Sequence, residues 1–187
     1  MVEIVQFGSR KTPHIAEMVA QCGFESRITE WDAFSVSCLD DAQAVIFSGS
    51  PTFLTEVDHA PYHEKFGWAC EGKIPVLGIC FGHQVMGILH GAQIYRGQEV
   101  RTEIPIRILK QDVLLKGLGE STVMAEDHTE GITLPASFTH LASSENYLIE
   151  AMRHPTLPLF GVQFHPEVSG ENGLNVFRNF LSLVAAK

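Results

Sequence analysis

One cysteine stands between two glycines in the segment Gly78–Gln84, which reads Gly-Ile-Cys-Phe-Gly-His-Gln. An apolar run precedes it and a helical pattern follows, so Cys80 is predicted to lie on a strand-to-helix turn. This pattern is the sulfur counterpart of the nucleophile elbow, in which a tight turn holds the nucleophile at the carboxyl end of a sheet. The helix N-terminus favours a thiolate, and the backbone N–H of Phe81 is well placed to bind an oxyanion. The alternative is a buried core cysteine packed beside two glycines.

A second segment supplies the base that a thiolate nucleophile requires. Residues Gly161–Glu167 read Gly-Val-Gln-Phe-His-Pro-Glu. In an extended chain His165 and Glu167 point the same way, so the carboxylate can hold the imidazole while the imidazole faces a distant sulfur. Pro166 cannot donate to a sheet ladder, which places the pair at a strand end. Taken alone, the two residues fit a surface loop better, and their joint occurrence with the cysteine motif reverses that preference in favour of catalysis.

The two segments together resemble the motifs of the class I glutamine amidotransferases, the Cys-His-Glu glutaminases. Both motifs occur in the family's order, and the chain is about the size of one such domain. Within the class, the glutaminase part of GMP synthetases is most similar, through the stretches 7–9, 149–154, 157–161 and 176–180.

The resemblance implies a catalytic triad. Cys80 would attack the side-chain amide of glutamine, form a glutamyl thioester and release ammonia. His165 would protonate the leaving ammonia and then activate water for deacylation, and Glu167 would orient His165. This acyl chemistry calls for no metal and no cofactor.

The resemblance also implies two backbone oxyanion donors, the N–H of Phe81 and one from Gly49 or Ser50. The family usually has Ser-Gly-Gly-Pro in this loop, and Ser50 stands at its second glycine. A conformation that only glycine adopts would be strained there.

Two further residues are implied to bind the substrate, Gln84 and His128. His128 and Glu130 align with the histidine and aspartate of the family's Ser-His-Gly-Asp segment when a gap is allowed. In GMP synthetases that segment lines the glutamine site and faces the synthetase domain.

Hydrophobic periodicity predicts the elements that position these residues. The predicted strands are 2–7, 44–47 and 75–79, and the predicted helices are 12–22, 61–70, 82–90 and 170–187. Strands that alternate with helices predict an α/β fold of three layers, a mostly parallel sheet with helices on both faces. This is the flavodoxin-like architecture that the resemblance implies. Residues 94–109 and 121–152 predict added antiparallel strands and hairpins.

The composition bounds the partners. The 187 residues predict one glutaminase domain spanning 1–187, and a formal net charge of −9 argues against a nucleic-acid or anionic membrane partner. The four cysteines form no CxxC pair and no zinc-ligand spacing, so neither a disulfide framework nor a metal site is predicted. No signal peptide and no long apolar run is found, which predicts a cytoplasmic protein.

The size leaves no room for an ATP-pyrophosphatase domain, so a separate synthetase chain, such as the one that aminates XMP, is the expected acceptor of the ammonia. Two alternatives stay open. One is a stand-alone hydrolase of γ-glutamyl compounds on the same scaffold, and the other is a non-catalytic binding protein.

Overall fold

The computed structural model describes residues 1–185, which form eleven strands and four α-helices. The strands are β1 (Val2–Gln6), β2 (Ser26–Glu30), β3 (Ala44–Phe47), β4 (Val76–Ile79), β5 (Ile94–Val100), β6 (Glu103–Ile108), β7 (Ser121–Ala125), β8 (His128–Ile132), β9 (Thr139–Ser143), β10 (Ala151–Arg153) and β11 (Leu159–Val162). The helices are α1 (Thr12–Gln21), α2 (Ala60–Phe66), α3 (Phe81–Leu89) and α4 (Gly170–Ala185).

Nine of these strands form one mixed sheet in the order β2-β1-β3-β4-β11-β10-β9-β6-β7. The pairs from β2 to β11 are parallel, and those from β11 to β7 are antiparallel. Strands β5 and β8 form a second, antiparallel sheet. The predicted α/β fold, with a parallel first half and antiparallel strands added in the second half, is confirmed.

Helices cover both faces of the parallel half. Ile4 and Ile46 pack into a core cluster that includes residues of α1 and α4, whereas Val5 and Phe47 pack into a second cluster with α2 and α3. Successive side chains of a strand point to opposite faces, and both faces are buried here. Strands β3 and β4 are therefore continuously apolar rather than alternating, as expected of a parallel sheet between two helix layers. Strand β1 departs from this at the buried Glu3, which pairs with Arg27 of β2.

Some boundaries differ from the sequence predictions. Strand β2 was not predicted, because it is a half-buried edge strand of mostly polar residues that pairs with β1. Helix α2 ends at Phe66, and the chain continues as a 3-10 helix over Gly67–Glu71. The last two residues of the predicted C-terminal helix lie outside the described residues. Within the described chain, no helix combines the length and the apolar content that a bilayer crossing requires.

The register of β4 and β11 decides where the two motifs meet. Gly78 pairs with Gly161 and Ile79 with Val162 in parallel strands. Cys80 directly follows β4 and His165 closely follows β11, so both residues emerge at the same carboxyl edge of the sheet.

Candidate active site

Cys80 occupies a strained turn between β4 and α3. It has φ 50° and ψ −105°, and it is the only non-glycine residue in the described chain with a positive φ. Two backbone hydrogen bonds hold the turn: the Cys80 N–H donates to the Val162 carbonyl (2.9 Å), and the Gln84 N–H donates to the Cys80 carbonyl (3.1 Å). A residue held in a sparsely populated conformation is typical of functional turns. The side chain is buried and lines a cavity.

The two glycines of the motif are required by close backbone approach. A Cβ on Gly78 would lie 2.5 Å from the Gly82 carbonyl oxygen, and one on Gly82 would lie 2.4 Å from the Phe47 carbonyl oxygen. Both distances are shorter than any Cβ contact that a folded chain tolerates. Helix α3 can therefore begin directly against β3 and β4 only because both positions lack a side chain.

Three backbone N–H groups beside Cys80 are available to an oxyanion. Among the described residues, the N–H groups of Gly49, Ser50 and Phe81 donate to no acceptor. Ser50 does not have a positive φ, so it replaces the family's glycine without strain. Gly49 is constrained by space instead, because a Cβ there would lie 3.1 Å from Cε1 of His165 and 3.8 Å from Cβ of Cys80.

His165 and Glu167 form a buried pair. Nδ1 of His165 lies 2.7 Å from Oε1 of Glu167. The chain between them is not extended, as the sequence reasoning assumed, because Pro166–Val168 form a 3-10 turn that brings the two side chains together. The His165 N–H donates to the Ala125 carbonyl (2.8 Å), and the Ser169 hydroxyl donates to the His165 carbonyl (2.7 Å). The first of these hydrogen bonds joins the His165 backbone to the end of β7.

The surroundings of His165 favour the imidazolium form. Burial alone would lower its pKa, but the neighbouring Cys80 sulfur and the Glu167 carboxylate together raise it well above the usual value. A protonated histidine beside a sulfur nucleophile can donate its proton to a leaving group, which is the general-acid role.

Cys80 and His165 open into a cavity of about 480 Å³, within the usual size range of small-molecule sites. Its wall combines the elbow, the histidine, the Ser50–Phe53 loop, the Asp127–Glu130 segment, and a rim of Gly8–Lys11 and Arg101.

Gln84 lies in the cavity wall with its amide nitrogen already occupied. That nitrogen donates to the Glu130 carbonyl (2.9 Å) and to Oε1 of Gln163 (3.1 Å). Only its side-chain oxygen is left to accept a hydrogen bond from a ligand.

Glu130 fastens the loop that closes one side of the cavity. Its carboxylate accepts from the backbone N–H of Leu54 (2.7 Å), from that of Thr55 (3.0 Å), and from the Thr55 hydroxyl. His128 lies in the adjoining wall, and its Nδ1 is 2.9 Å from the Glu130 carbonyl oxygen. The segment aligned with the family's Ser-His-Gly-Asp thus borders the cavity, but the Glu130 carboxylate is engaged within the chain.

Sequence reasoning missed the buried polar groups behind this wall. Burial raises the pKa of Glu126 to about 7 and that of Glu150 to about 9. Glu150 lies within the largely apolar stretch from Leu148 to Met152, and a carboxylate in such a run is a signal that could have identified it. His83 is fully buried, and burial together with the neighbouring His128 lowers its pKa to about 3.

Residues 3–184 match the family model described as glutamine amidotransferase class-I, and the chain belongs to this family. It is a glutamine amidotransferase, as its two motifs predicted.

Several relatives carry a more particular name, that of a subunit of glutamine-hydrolyzing GMP synthase. The chain is 40% identical over 147 residues to this subunit from Methanosarcina barkeri, covering 77% of this chain and 75% of that one. It is 35% identical over 191 residues to the corresponding subunit from Pyrococcus abyssi, covering 98% of each.

Solved structures share the fold of this chain. A putative GMP synthase subunit from Thermoplasma acidophilum superposes with a TM-score of 0.90 at 26% identity, covering 99% of this chain and 94% of that one. A glutamine amidotransferase from Thermotoga maritima shares the fold, with a TM-score of 0.84 at 15% identity, covering 100% and 98%.

Proposed function

We propose that this chain hydrolyses glutamine through Cys80, His165 and Glu167 and delivers the ammonia to a separate synthetase subunit that makes GMP. One observation carries the proposal: the strained Cys80, the Glu167-bound His165 and the unpaired Phe81 N–H meet at the same cavity. The names of the relatives support the choice of partner.

Acylation begins when the Cys80 thiolate attacks the side-chain carbonyl carbon of glutamine. A carbon–sulfur bond forms, and the oxyanion accepts hydrogen bonds from the Phe81 N–H and from an N–H of the 49–50 loop. His165, protonated at Nε2, gives its proton to the amide nitrogen as the carbon–nitrogen bond breaks. Ammonia leaves, and a glutamyl thioester remains.

Deacylation reverses the role of the histidine. Neutral His165 accepts a proton from water, and the resulting hydroxide attacks the thioester carbon. The carbon–sulfur bond breaks, glutamate leaves, and the thiolate and imidazolium are restored. Glu167 stabilises the imidazolium in both half-reactions and holds Nε2 toward the reacting atoms.

Gln84 and His128 are proposed to contact the substrate. The Gln84 side-chain oxygen can accept a hydrogen bond from glutamine, because its nitrogen is held by the chain. The His128 ring borders the same space and would contact glutamine through its carbon atoms, since Nδ1 is bonded to the Glu130 carbonyl and Nε2 is buried.

Residues 1–187 are proposed to be one glutaminase domain, which the match over 3–184 and the sheet that joins both halves support. All four cysteines are free thiols, which fits a reducing compartment such as the cytoplasm.

Glutamate release from glutamine by the purified chain tests the triad. Cys80→Ala is expected to lower kcat by about three orders of magnitude or more. Cys70→Ala, at a half-buried cysteine away from the cavity, is the matched control and should retain activity. An electrophilic glutamine analogue should label Cys80, as located by peptide mass spectrometry. Retained activity in Cys80→Ala, or a label on another residue, would show that the triad is wrongly assigned.

Addition of the GMP-forming synthetase subunit tests the partner. We expect the glutaminase rate to rise and XMP to be aminated with glutamine as the nitrogen source. A rate that is already maximal in the isolated chain and extends to other γ-glutamyl compounds would instead support a stand-alone hydrolase. No binding between the two chains would contradict the proposed delivery of ammonia.

A further inference from the structure

Three buried side chains with metal-ligand chemistry converge behind the wall of the cavity. Glu126, His128 and Glu150 each offer one ligand atom, and these atoms all lie within 4.8 Å of one another. Their exposed fractions are 4%, 8% and 0%. They come from three places in the chain: the residue that follows β7, the start of β8, and the residue before β10. Charged groups at this depth are normally paired or bound to a metal.

The imidazole of His128 is oriented as metal-bound histidines are. Nδ1 lies 2.9 Å from the Glu130 carbonyl oxygen, and a carbonyl can only accept, so Nδ1 carries a proton. Such a hydrogen bond to one ring nitrogen sets the tautomer of a ligating histidine and leaves Nε2 to bind the metal. The ring also packs on Tyr147, with centroids 4.4 Å apart, which fixes its plane.

Nε2 of His128 lies 2.8 Å from Oε2 of Glu126, yet the two atoms are not hydrogen-bonded. A proton on Nε2 would lie in the plane of the ring and point outward from the nitrogen. That direction does not meet the Glu126 oxygen. A proton on the ring therefore does not link the two groups. Two atoms that bind the same ion lie close together without being hydrogen-bonded, because each directs a lone pair at the ion.

The two carboxyl groups are likewise short of hydrogen-bond partners. Both oxygens of Glu126 and Oε2 of Glu150 are buried and meet no hydrogen-bond donor from any other described residue, so only a proton shared between the two carboxyl groups, or an ion, can satisfy them. The other oxygen of Glu150 accepts from the Ser144 hydroxyl at 2.6 Å, which orients the carboxylate. A ligand carboxylate is usually held by such an outer hydrogen bond.

We propose that Glu126, His128 and Glu150 bind one divalent transition-metal ion of the Zn²⁺ type. Binding of the ion would release the proton that burial keeps on Glu150, and the two carboxylates then balance the charge of one dication. A nitrogen ligand beside two oxygens suits Zn²⁺, whereas Mg²⁺ and Ca²⁺ prefer oxygen ligands alone. Tetrahedral bonds of about 2.1 Å place ligand atoms about 3.4 Å apart. The 4.8 Å limit on these atoms allows that spacing, and Nε2 of His128 and Oε2 of Glu126 would separate from their present 2.8 Å when the ion binds. No metal site was predicted from the sequence because no CxxC pair and no cluster of cysteines and histidines at zinc-ligand spacing was found, whereas two of these three ligands are glutamates.

The ion has a structural role in this proposal. Next to Glu126, the Ala125 carbonyl accepts the His165 N–H (2.8 Å), and the Glu150 carbonyl accepts the Gln163 N–H (2.8 Å). Two of the proposed ligands therefore adjoin backbone groups that hold the segment carrying the catalytic base. The ion takes no part in the acyl transfer.

Zinc binding to the full chain tests the proposal. After chelator treatment and dialysis, titration with Zn²⁺ alone, followed by calorimetry and elemental analysis, is expected to give about one ion per chain. Glu126→Gln and Glu150→Gln should each abolish this binding. Glu145→Gln, at an exposed carboxylate in the same region, is the matched control and should bind as the unmodified chain does.

Cys80→Ala separates this site from the triad, since a thiolate and a histidine also attract zinc. Binding should persist in Cys80→Ala, in which the proposed glutaminase activity is expected to be lost, so the metal site and the proposed reaction can fail independently. Loss of binding in Cys80→Ala, unchanged binding in Glu150→Gln, or no binding by the unmodified chain at micromolar Zn²⁺ would each overturn the proposal.

Crystals of the unmodified chain grown with Zn²⁺ cover the case in which the glutamine variants do not fold. An anomalous peak is expected about 2.0 to 2.2 Å from His128 Nε2 and from one oxygen of each carboxylate. A peak only at Cys80, or none, would contradict the site.

Discussion

Replacing Cys80 by glycine is expected to leave the protein more stable than replacing it by alanine. The backbone at Cys80 has φ 50° and ψ −105°, far from the left-handed well, where ψ is about +30° to +60°. A residue with a Cβ in such a region costs about 1 to 3 kcal/mol. Glycine relieves that strain because it populates positive φ freely.

The size of the effect follows from comparing the two variants. Both remove the thiol, so the loss of its packing cancels, but glycine also removes the buried Cβ, which costs about 0.8 kcal/mol. Glycine loses more conformational entropy than alanine on folding, which opposes the relief by about 0.5 to 1 kcal/mol. Taking the middle of each range, Cys80→Gly is expected to exceed Cys80→Ala by about 0.5 kcal/mol in the free energy of unfolding.

Urea denaturation of both variants measures this difference, with Ala44→Gly as the control. Ala44 is buried in β3 and has no positive φ, so glycine there should lower the free energy of unfolding by about 1.5 kcal/mol, through chain entropy and the lost Cβ together. The reasoning is refuted if Cys80→Gly is less stable than Cys80→Ala by the same amount that Ala44→Gly loses relative to the unmodified chain. That result would mean that the elbow stores no strain.

Three other predictions concern the groups around the sulfur. Glu167→Gln removes the charge that raises the pKa of His165, so the alkaline limb of the pH profile of kcat/KM should move to lower pH; an unmoved limb would mean that Glu167 does not tune the base. His83 in the folded chain stays neutral to about pH 3, whereas in the unfolded chain it takes a proton near pH 6.5, so its contribution to stability is complete above pH 6.5 and is lost as the pH falls. In the unmodified chain the free energy of unfolding should therefore fall by up to about 1.4 kcal/mol per pH unit between about pH 6 and 4, and His83→Phe should remove this dependence. Urea unfolding at several pH values measures it, and an unchanged pH dependence in His83→Phe would contradict the burial argument. Gly49→Ala should lower kcat about tenfold by displacing the His165 ring, while Ser50→Gly should leave it nearly unchanged; equal effects of the two would argue against a steric role for Gly49.

Local sequence determined much of the chemistry. The elbow around Cys80 is recognisable because a strand, a glycine-flanked nucleophile and a helix follow one another directly in the chain. The apolar runs that became β1, β3 and β4 were found for a related reason, since strands buried on both faces need no partner to be identified.

The pairing of distant segments was decided by the tertiary structure. Strand β2 escaped prediction because edge position, and not an apolar pattern, makes it a strand. The contact between His165 and Glu167 was expected, but the 3-10 turn that produces it depends on how the segment packs against the end of β7.

The cluster of Glu126, His128 and Glu150 was the feature that the sequence could least predict. Each residue alone is an ordinary polar side chain, and only their common burial makes them chemically unusual. Burial is a property of all the segments that cover a site, so no local pattern encodes it. The sequence by itself thus determined the nucleophile, its base and the class of fold, because these depend on neighbours in the chain. The tertiary structure decided which polar groups lose contact with water, because desolvation depends on neighbours in space.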